Sequence, residues 1–345
     1  MRRILKNLLL RGSVYWWLIL MISACQNDAT KEEQACLPDV EVGNIEVEVR
    51  IERLDERLFA LEGKEGIQAF LKQYAGFAEG FLQQSRYPSD TILINALYQM
   101  VTDSSLQVLQ QEVNQAFGDM KKVEEDFEAA FKRIKYYYPD FRAPKIQTIV
   151  TGYGKGSDLY VSEDLIVIGL EFFMGPDYRF QPEEPEYIAR RYRSETIVPF
   201  VVQILSARYN QFDDTNRTAL TDMIFYGKSY YFMQSVIPCL PDSVVLGYTS
   251  AQMDSIQKYK EVIWAHYIDR NVFYETSHLI KKDYIDDAPF TLPISQTWCP
   301  GAIGRWTGLR IVKKYMQRNE DTSLPTLMTN TDALDILEAS KYKGD

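Results

Sequence analysis

Residues 193–210, "RSETIVPFVVQILSARYN", constrain the fold more than any other stretch of the chain. Nearly every position from Ile197 to Ala207 is apolar. A helix that is apolar around its whole circumference needs protein on every side. The run therefore predicts a buried helix. A strand-like run, "DLIVIGLEFF", precedes it. The chain has 345 residues, 13% of them aromatic. That is enough for a sizeable core in one large domain or two intimate ones.

The N-terminus sets the expected compartment. "MRRILKNLLLRGSVYWWLILMISAC" has a basic start, an apolar run from Val14 to Ile22, and small residues at Ser23 and Ala24 before Cys25. Basic start, short apolar middle and small-residue cleavage site are the marks of a signal peptide, and the apolar run is too short to span a bilayer comfortably. Ile22-Ser23-Ala24-Cys25 further resembles a bacterial lipobox. Residues 1–24 are thus expected to be removed and Cys25 to carry the lipid, with several acyl chains for durable anchoring. Removal takes four of the 38 basic residues and none of the 48 acidic ones, leaving a formal net charge of −14. Such a balance argues against nucleic acid as a partner and against an electrostatic grip on anionic lipid. Residues 25–44 contain little apolar side chain and read as a tether, with a globular domain over 45–345.

Four cysteines are present. With Cys25 acylated, Cys36, Cys239 and Cys299 remain, and an exported chain is free to form disulfides. Cys239 and Cys299 are the one pair inside the expected globule. The alternative is two buried free thiols, since an odd count without repeated spacing gives no framework.

"NIEVEVRIERL" alternates strictly and predicts a half-buried strand carrying Ile45, Val47, Val49 and Ile51 on one face. Helical periodicity follows through residues 54–82 and again from Ser104 to Pro139, as one or two amphipathic helices. "KIQTIVTG", "DLYVS" and "LIVIGLEFF" are short β-rich runs that predict a small mid-chain sheet, with "GYGKGS" (152–157) as a turn and not a phosphate loop. Later helices are expected from Asp214 or Thr215 as N-cap to Pro238, from Thr249 or Ser250 to Asn271, and from Pro300 in the first turn to Asn319. A short helix in the tail completes the pattern. The fold class is α+β, predominantly helical around a small sheet.

Zinc sites need three or four converging His, Cys, Asp or Glu donors. The globule has only His266 and His278, on separate predicted elements, and no cysteine pair at metal spacing. No metal and no cofactor are expected. No G-x-S-x-G occurs, and two histidines offer few bases for a nucleophile. Glu171, Glu195 and Asp222 lie among apolar residues and are the carboxylates from which acid–base chemistry would have to come. The bland reading has them satisfying backbone groups or arginines. In "PGAIGRWTGLRIVKKYM", Gly304 and Gly308 share one helical face. Each costs a helix about 1 kcal/mol relative to alanine, which close approach of another backbone would offset. Arg305, Trp306 and Arg310 project nearby and offer a binding surface.

Several stretches together, the Cys25 signal, "IVIGLEFFMGPDYRF", "LTDMIFYGKSYYFMQSVIPCLPDSVVLGYTSAQ", "APFTLPISQTWCPGAIGRWTGLRIVKKYM" and "TDALDILEASKYK", resemble the gliding motility lipoprotein GldB family of Bacteroidota. The likeness runs from about Ile45 to Lys343, and Met223-Ile-Phe-Tyr-Gly-Lys228 and Pro300-Gly-Ala-Ile-Gly-Arg-Trp306 are its most specific parts. It implies a lipid-anchored envelope protein, facing the periplasm and required for gliding, that acts as a non-catalytic structural or interaction component. Its partners would be other envelope or gliding-machinery proteins, and the membrane through the lipid. The family in turn looks like a distant relative of HExxH zinc peptidases. By that likeness 193–210 holds the place of the metal-binding helix, but without histidine, and the following helix offers Asp222 in place of a glutamate. The implied fold is a degenerate zincin-like peptidase with a groove and no zinc. The groove and packing residues to watch are Glu195, Asp222, Lys228, Gly304, Arg305, Trp306, Gly308 and Arg310. The competing expectation is a metal-independent envelope hydrolase that uses carboxylates.

Overall fold

The computed structural model describes residues 36–154 and 158–345. The expected signal peptide, Cys25, most of the expected tether and part of the turn at 152–157 lie outside the described residues. A short strand, β1 (Ile51–Glu52), leads into six helices: α1 (Leu54–Phe59), α2 (Gly63–Gln73), α3 (Ala75–Gly80), α4 (Asp90–Thr102), α5 (Ser104–Phe117) and α6 (Lys121–Tyr137). Three strands follow, β2 (Lys145–Ile149), β3 (Leu159–Val161) and β4 (Leu165–Gly169). The rest is helical: α7 (Glu186–Ala189), α8 (Ile197–Ser206), α9 (Ala219–Val236), α10 (Asp242–Leu246), α11 (Ser250–Asp269), α12 (His278–Ile285), α13 (Ile303–Arg318), α14 (Leu324–Thr329) and α15 (Ala333–Ser340).

The sheet order is β1-β2-β4-β3, with the first three strands parallel and β3 antiparallel to β4. β4 is buried along its whole length and β2 everywhere but Lys145, as continuous apolar runs covered on both faces must be. The two-residue alternation divides β4 between two cores. Ile166 and Ile168 join the larger core, while Leu165 and Val167 pack with α1 to α4. The sheet is therefore a middle layer, and the mostly helical α+β class read from the sequence is the one observed.

The N-terminal strand is shorter than its alternation predicts. Val49 is buried and Glu46, Glu48 and Arg50 are exposed, so the two faces are as expected. Ladder pairing nevertheless begins only at Ile51 with Ile146. One reason lies in the partner strand, where Pro144 precedes Lys145 and has no N–H to donate. The Ile51 N–H donates instead to the Glu124 carboxylate of α6 (2.7 Å). Beyond it, the fully buried Asp55 accepts from Arg53 Nη2 (2.7 Å), Gln110 Nε2 (2.7 Å) and Thr148 Oγ1, tying α1 to α5 and β2.

Helix starts follow local capping more closely than apolar periodicity. α9 begins after Thr218, whose hydroxyl accepts the Thr221 N–H, and not at Asp214 or Thr215. Asp213 and Asn216 accept from the Thr215 and Thr218 N–H groups, which holds residues 213–218 in turns. α11 starts at the expected Thr249 cap, closed by Gln252. α13 starts at Ile303 and not at Pro300, because Pro300 bridges Phe290 and Ala302 takes a left-handed conformation (φ 57°).

α9 runs through the middle of the larger core, and its contact with α13 is the most extensive between any two elements. The crossing depends on two glycines. A Cβ on Gly308 would lie 1.8 Å from the Met223 carbonyl oxygen, and one on Gly227 would lie 2.4 Å from the Gly308 carbonyl group. Gly304 sits against Tyr284 and Ile285 of α12. Next to Gly227, the buried Lys228 ammonium donates to the carbonyls of Gln211 (2.6 Å), Met328 (3.2 Å) and Asn330 (2.8 Å). Burial pushes its pKa down to about 8, and its place is that of a structural clamp on the loop after α8 and the end of α14.

Neither alternative for Cys239 and Cys299, a bridge between them or two buried free thiols, holds in full. Cys239 bonds to Cys36, and Cys299 is a buried free thiol. Sequence separation concealed the partner, because the disulfide joins positions 203 residues apart. Nearby, Asp39 takes a bidentate pair of bonds from Arg133 of α6 (2.7 and 2.8 Å). Residues 36–44, assigned from composition to a tether, are thus fastened to the globule at two points.

Two outcomes are expected. Gly308→Ala should lower stability by about 3 kcal/mol, the upper end of the overpacking range; Gly76→Ala, which meets nothing within 4 Å, should be neutral or slightly stabilising. Thermal melts of both variants check the helix crossing. A Cys36→Ser/Cys239→Ser protein should lose about 2–5 kcal/mol through the freed long loop, measured by denaturant unfolding without reductant.

Candidate functional site

The apolar helix α8 is not enclosed on all sides. Phe200, Gln203, Ile204 and Ala207, at helical spacing, share one face that lines a cavity of about 530 Å³. Tyr226 and Tyr230 of α9 form the opposite wall, and the α10 segment from Val244 to Gly247 forms a third side. Volumes of this order are typical of small-ligand sites.

Two arginines, Arg191 and Arg305, and two aspartates, Asp158 and Asp287, make up its charged lining. Asp287 receives Arg191 (Nη2, 2.8 Å) and Arg305 (Nη1, 3.2 Å). Burial alone would raise the Asp287 pKa, but the Arg305 and Arg191 charges outweigh it and hold the carboxyl below its ordinary value. Burial likewise opposes the Arg305 charge, and Tyr230 and Asp287 more than compensate, so Arg305 stays cationic. Its guanidinium lies 4.3 Å from the centre of the Tyr226 ring, a cation–π contact. Two guanidiniums thus share one carboxylate, and one positive charge there is unmatched by it.

A second cavity, of about 360 Å³, opens on the other side of Arg191 and is lined by Arg190, Arg193, Glu195 and the start of α11. Arg191, Val244 and Gly247 line both. Gly247 is the residue that lets Arg191 lie there. It has φ 68°, and a Cβ on it would come within 2.3 Å of Arg191 Nε.

Among the residues singled out from sequence, Arg305 alone lines the larger cavity. Glu195 is exposed on the rim of the smaller one, in contrast to its expected apolar surroundings. Asp222 lines a different hollow and is ion-paired with Lys281 (2.6 Å), so the two carboxylates do not share a site. Glu171 is buried, and its carboxylate accepts from the Thr151 N–H (2.7 Å) and hydroxyl (2.9 Å) at the end of β2; burial raises its pKa. Lys228, Gly304 and Gly308 are packing residues, Trp306 is buried in the core, and Arg310 is half-buried beside Tyr342. Arg305, Trp306 and Arg310 do not line one cavity: Arg305 points into the larger one, whereas Trp306, which shares its helix face with Arg310 at i, i+4, is buried in the core. His266 meets the Tyr284 hydroxyl (2.9 Å) and His278 is exposed on another helix. No group of three or more metal-donor side chains converges among the described residues, and none of the described helices is long and apolar enough to cross a membrane.

Sequence reasoning missed Arg190, Arg191, Tyr226, Tyr230 and Asp287. The run Arg190-Arg191-Tyr192-Arg193 was a usable signal, since three arginines in four positions are unusual in so acidic a chain.

Fold and site together define a mostly helical α+β protein with arginine-lined cavities, in which no metal-donor set or Ser–His nucleophile pair converges among the described residues. The chain matches the model of the family described as gliding motility protein GldB over residues 35–344 and belongs to that family. Membership places it among the proteins of gliding motility. No curated protein and no solved structure matches it, and the zincin-like likeness is accordingly without support from a known structure.

Asp287→Asn should cost about 3 kcal/mol, because two largely buried guanidiniums then lose their shared counter-charge. Glu195→Gln, at an exposed position, should stay within about 0.5 kcal/mol of the parent. Denaturant unfolding of the two variants gives the comparison.

Proposed function

We propose that this protein is a lipid-anchored envelope component of the gliding machinery that works by holding other proteins in place. The observation that carries the reading is the family match over nearly the whole chain. Two features support the non-catalytic part. The carboxylates suspected from sequence are separated, and Asp222 is neutralised by Lys281. The cavity at α8 presents guanidiniums, phenols and apolar side chains, which suit recognition better than proton transfer. The anchor is the acyl-modified Cys25, with the globule facing the periplasm, and anchoring raises the effective concentration of the protein for its partners.

Complementation of a deletion strain tests this. Glu195→Gln and Asp222→Asn variants should restore movement to within about twofold of the parent, whereas Cys25→Ala should restore little or none. Mass spectrometry of the mature N-terminus should find the acyl chains on Cys25. Immobile carboxylate variants at normal abundance, together with a fully active unanchored form, would favour a carboxylate hydrolase instead.

A further inference from the structure

The two cavities around Arg191 adjoin, and each has a different chemistry. The smaller one gathers Arg190, Arg191 and Arg193 against a single facing acid, the exposed Glu195. In a chain of formal charge −10 this is a strong local excess of positive charge. Arg190 makes no ion pair among the described residues. Its Nη2 donates to the Gly247 carbonyl (3.1 Å) and Gln252 Oε1 (2.8 Å), and its buried Nε has no hydrogen-bond partner. Arg191 spends one edge on Asp287, and its buried Nε is also without a partner. Burial, and next the Arg191 charge, hold the Arg190 pKa below the usual guanidinium value. Both side chains are half-buried, and Glu186 only partly offsets the effect on Arg190; an N–H buried without a partner is costly, and a planar oxyanion is the group a guanidinium fork fits best.

The larger cavity is mostly apolar on its α8 side, where Phe200 is half-buried and Ile204 stays 44% exposed despite belonging to the most apolar helix of the chain. An anion site and an apolar site therefore lie either side of one arginine. On the terminal residue of a polypeptide, the carboxylate and the side chain leave the same carbon, and this is the spacing two adjoining pockets require. A phosphate-rich membrane surface calls for a broad basic face, which the acidic composition does not supply.

We propose that these cavities bind the carboxyl-terminal residue of a partner polypeptide. Its carboxylate docks at Arg190 and Arg191, and an apolar last side chain enters the larger cavity against Phe200 and Ile204. Asp287 acts as a positioning residue that ties Arg191 to Arg305 at the polar end. The proposal rests on the reading of the protein as an interaction component and names the chemistry of what it holds.

The test is direct binding, with detergent-solubilised full chain and fluorescent octapeptides followed by anisotropy. A peptide ending in a free phenylalanine carboxylate should bind. Amidating that terminus, or replacing the last phenylalanine by aspartate, should each weaken binding about tenfold or more, the worth of a charge-assisted contact or of a buried aromatic group. Arg190→Gln should weaken it by a similar factor and abolish the difference between acid and amide. It leaves no carboxylate unpaired, so it remains informative if Arg191→Gln fails to fold. Ile204→Asp should reduce binding of the phenylalanine peptide while keeping the acid-over-amide preference. Equal binding of acid and amide, indifference to Arg190→Gln, or no binding of any peptide would overturn the proposal. So would displacement by inorganic phosphate or capture by phosphatidylglycerol vesicles in preference to the peptide, which would assign the arginines to a phosphate. Because the assay uses no cells, its failure is separate from the outcome that counts against the envelope reading, full complementation by Cys25→Ala.

Discussion

Contact between the backbones of α9 and α13 is the constraint on which the rest of the larger core depends. Gly227 and Gly308 face one another so closely that neither tolerates a methyl group without displacement of main chain. A close-packed interior does not absorb such displacement. From that crossing, α9 fixes one wall of the cavity through Tyr226 and Tyr230, and α13 delivers Arg305 into it. α12 is seated against Gly304 just before the chain reaches Asp287. Helix packing therefore sets the walls of the cavity and the place of Arg305, while Arg190, Arg191, Arg193 and Asp287 are supplied by the turns after α7 and α12.

Around this frame, several buried charged groups are held by polar partners from other elements. Asp55 gathers Arg53, Gln110 and Thr148. Asp242 receives Lys313 and Gln234, both at 2.6 Å, and Lys228 saturates three carbonyls. Each arrangement joins elements far apart in sequence and offsets the desolvation of its own charge. Against that background the arginines beside α8 differ, since Arg191 and Arg305 share one carboxylate and Arg190 has none among the described residues. Guanidiniums that outnumber the carboxylates paired with them are the feature on which the proposed anion site rests.

The disulfide and the Asp39–Arg133 pair give the N-terminal segment a structural role. They fasten residues 36–44 to the end of α9 and to α6. In the anchored protein we propose, Cys36 and Asp39 are points at which the N-terminal segment meets the globule.

Local chemistry determined much of this protein. The alternation of residues 45–51, the apolar runs of β2 and β4, the amphipathic stripes of α5 and α6, and the Thr249–Gln252 cap all follow from neighbours a few residues apart. The two glycines of residues 304–308 gave away a close packing face because their cost to a helix had to be offset locally. The family likeness, too, was legible in short motifs. Tertiary structure alone decided the rest. It paired Cys36 with Cys239 across 203 positions, matched Gly308 with Met223 and Gly227 on another helix, and separated Glu195 from Asp222. It also brought Arg191, Asp287 and Arg305 together from three elements. The physical reason is common to all four. Disulfides, backbone contacts and ion pairs depend on distances of a few ångströms between remote segments, and such distances are set by how whole layers pack, which no local pattern encodes.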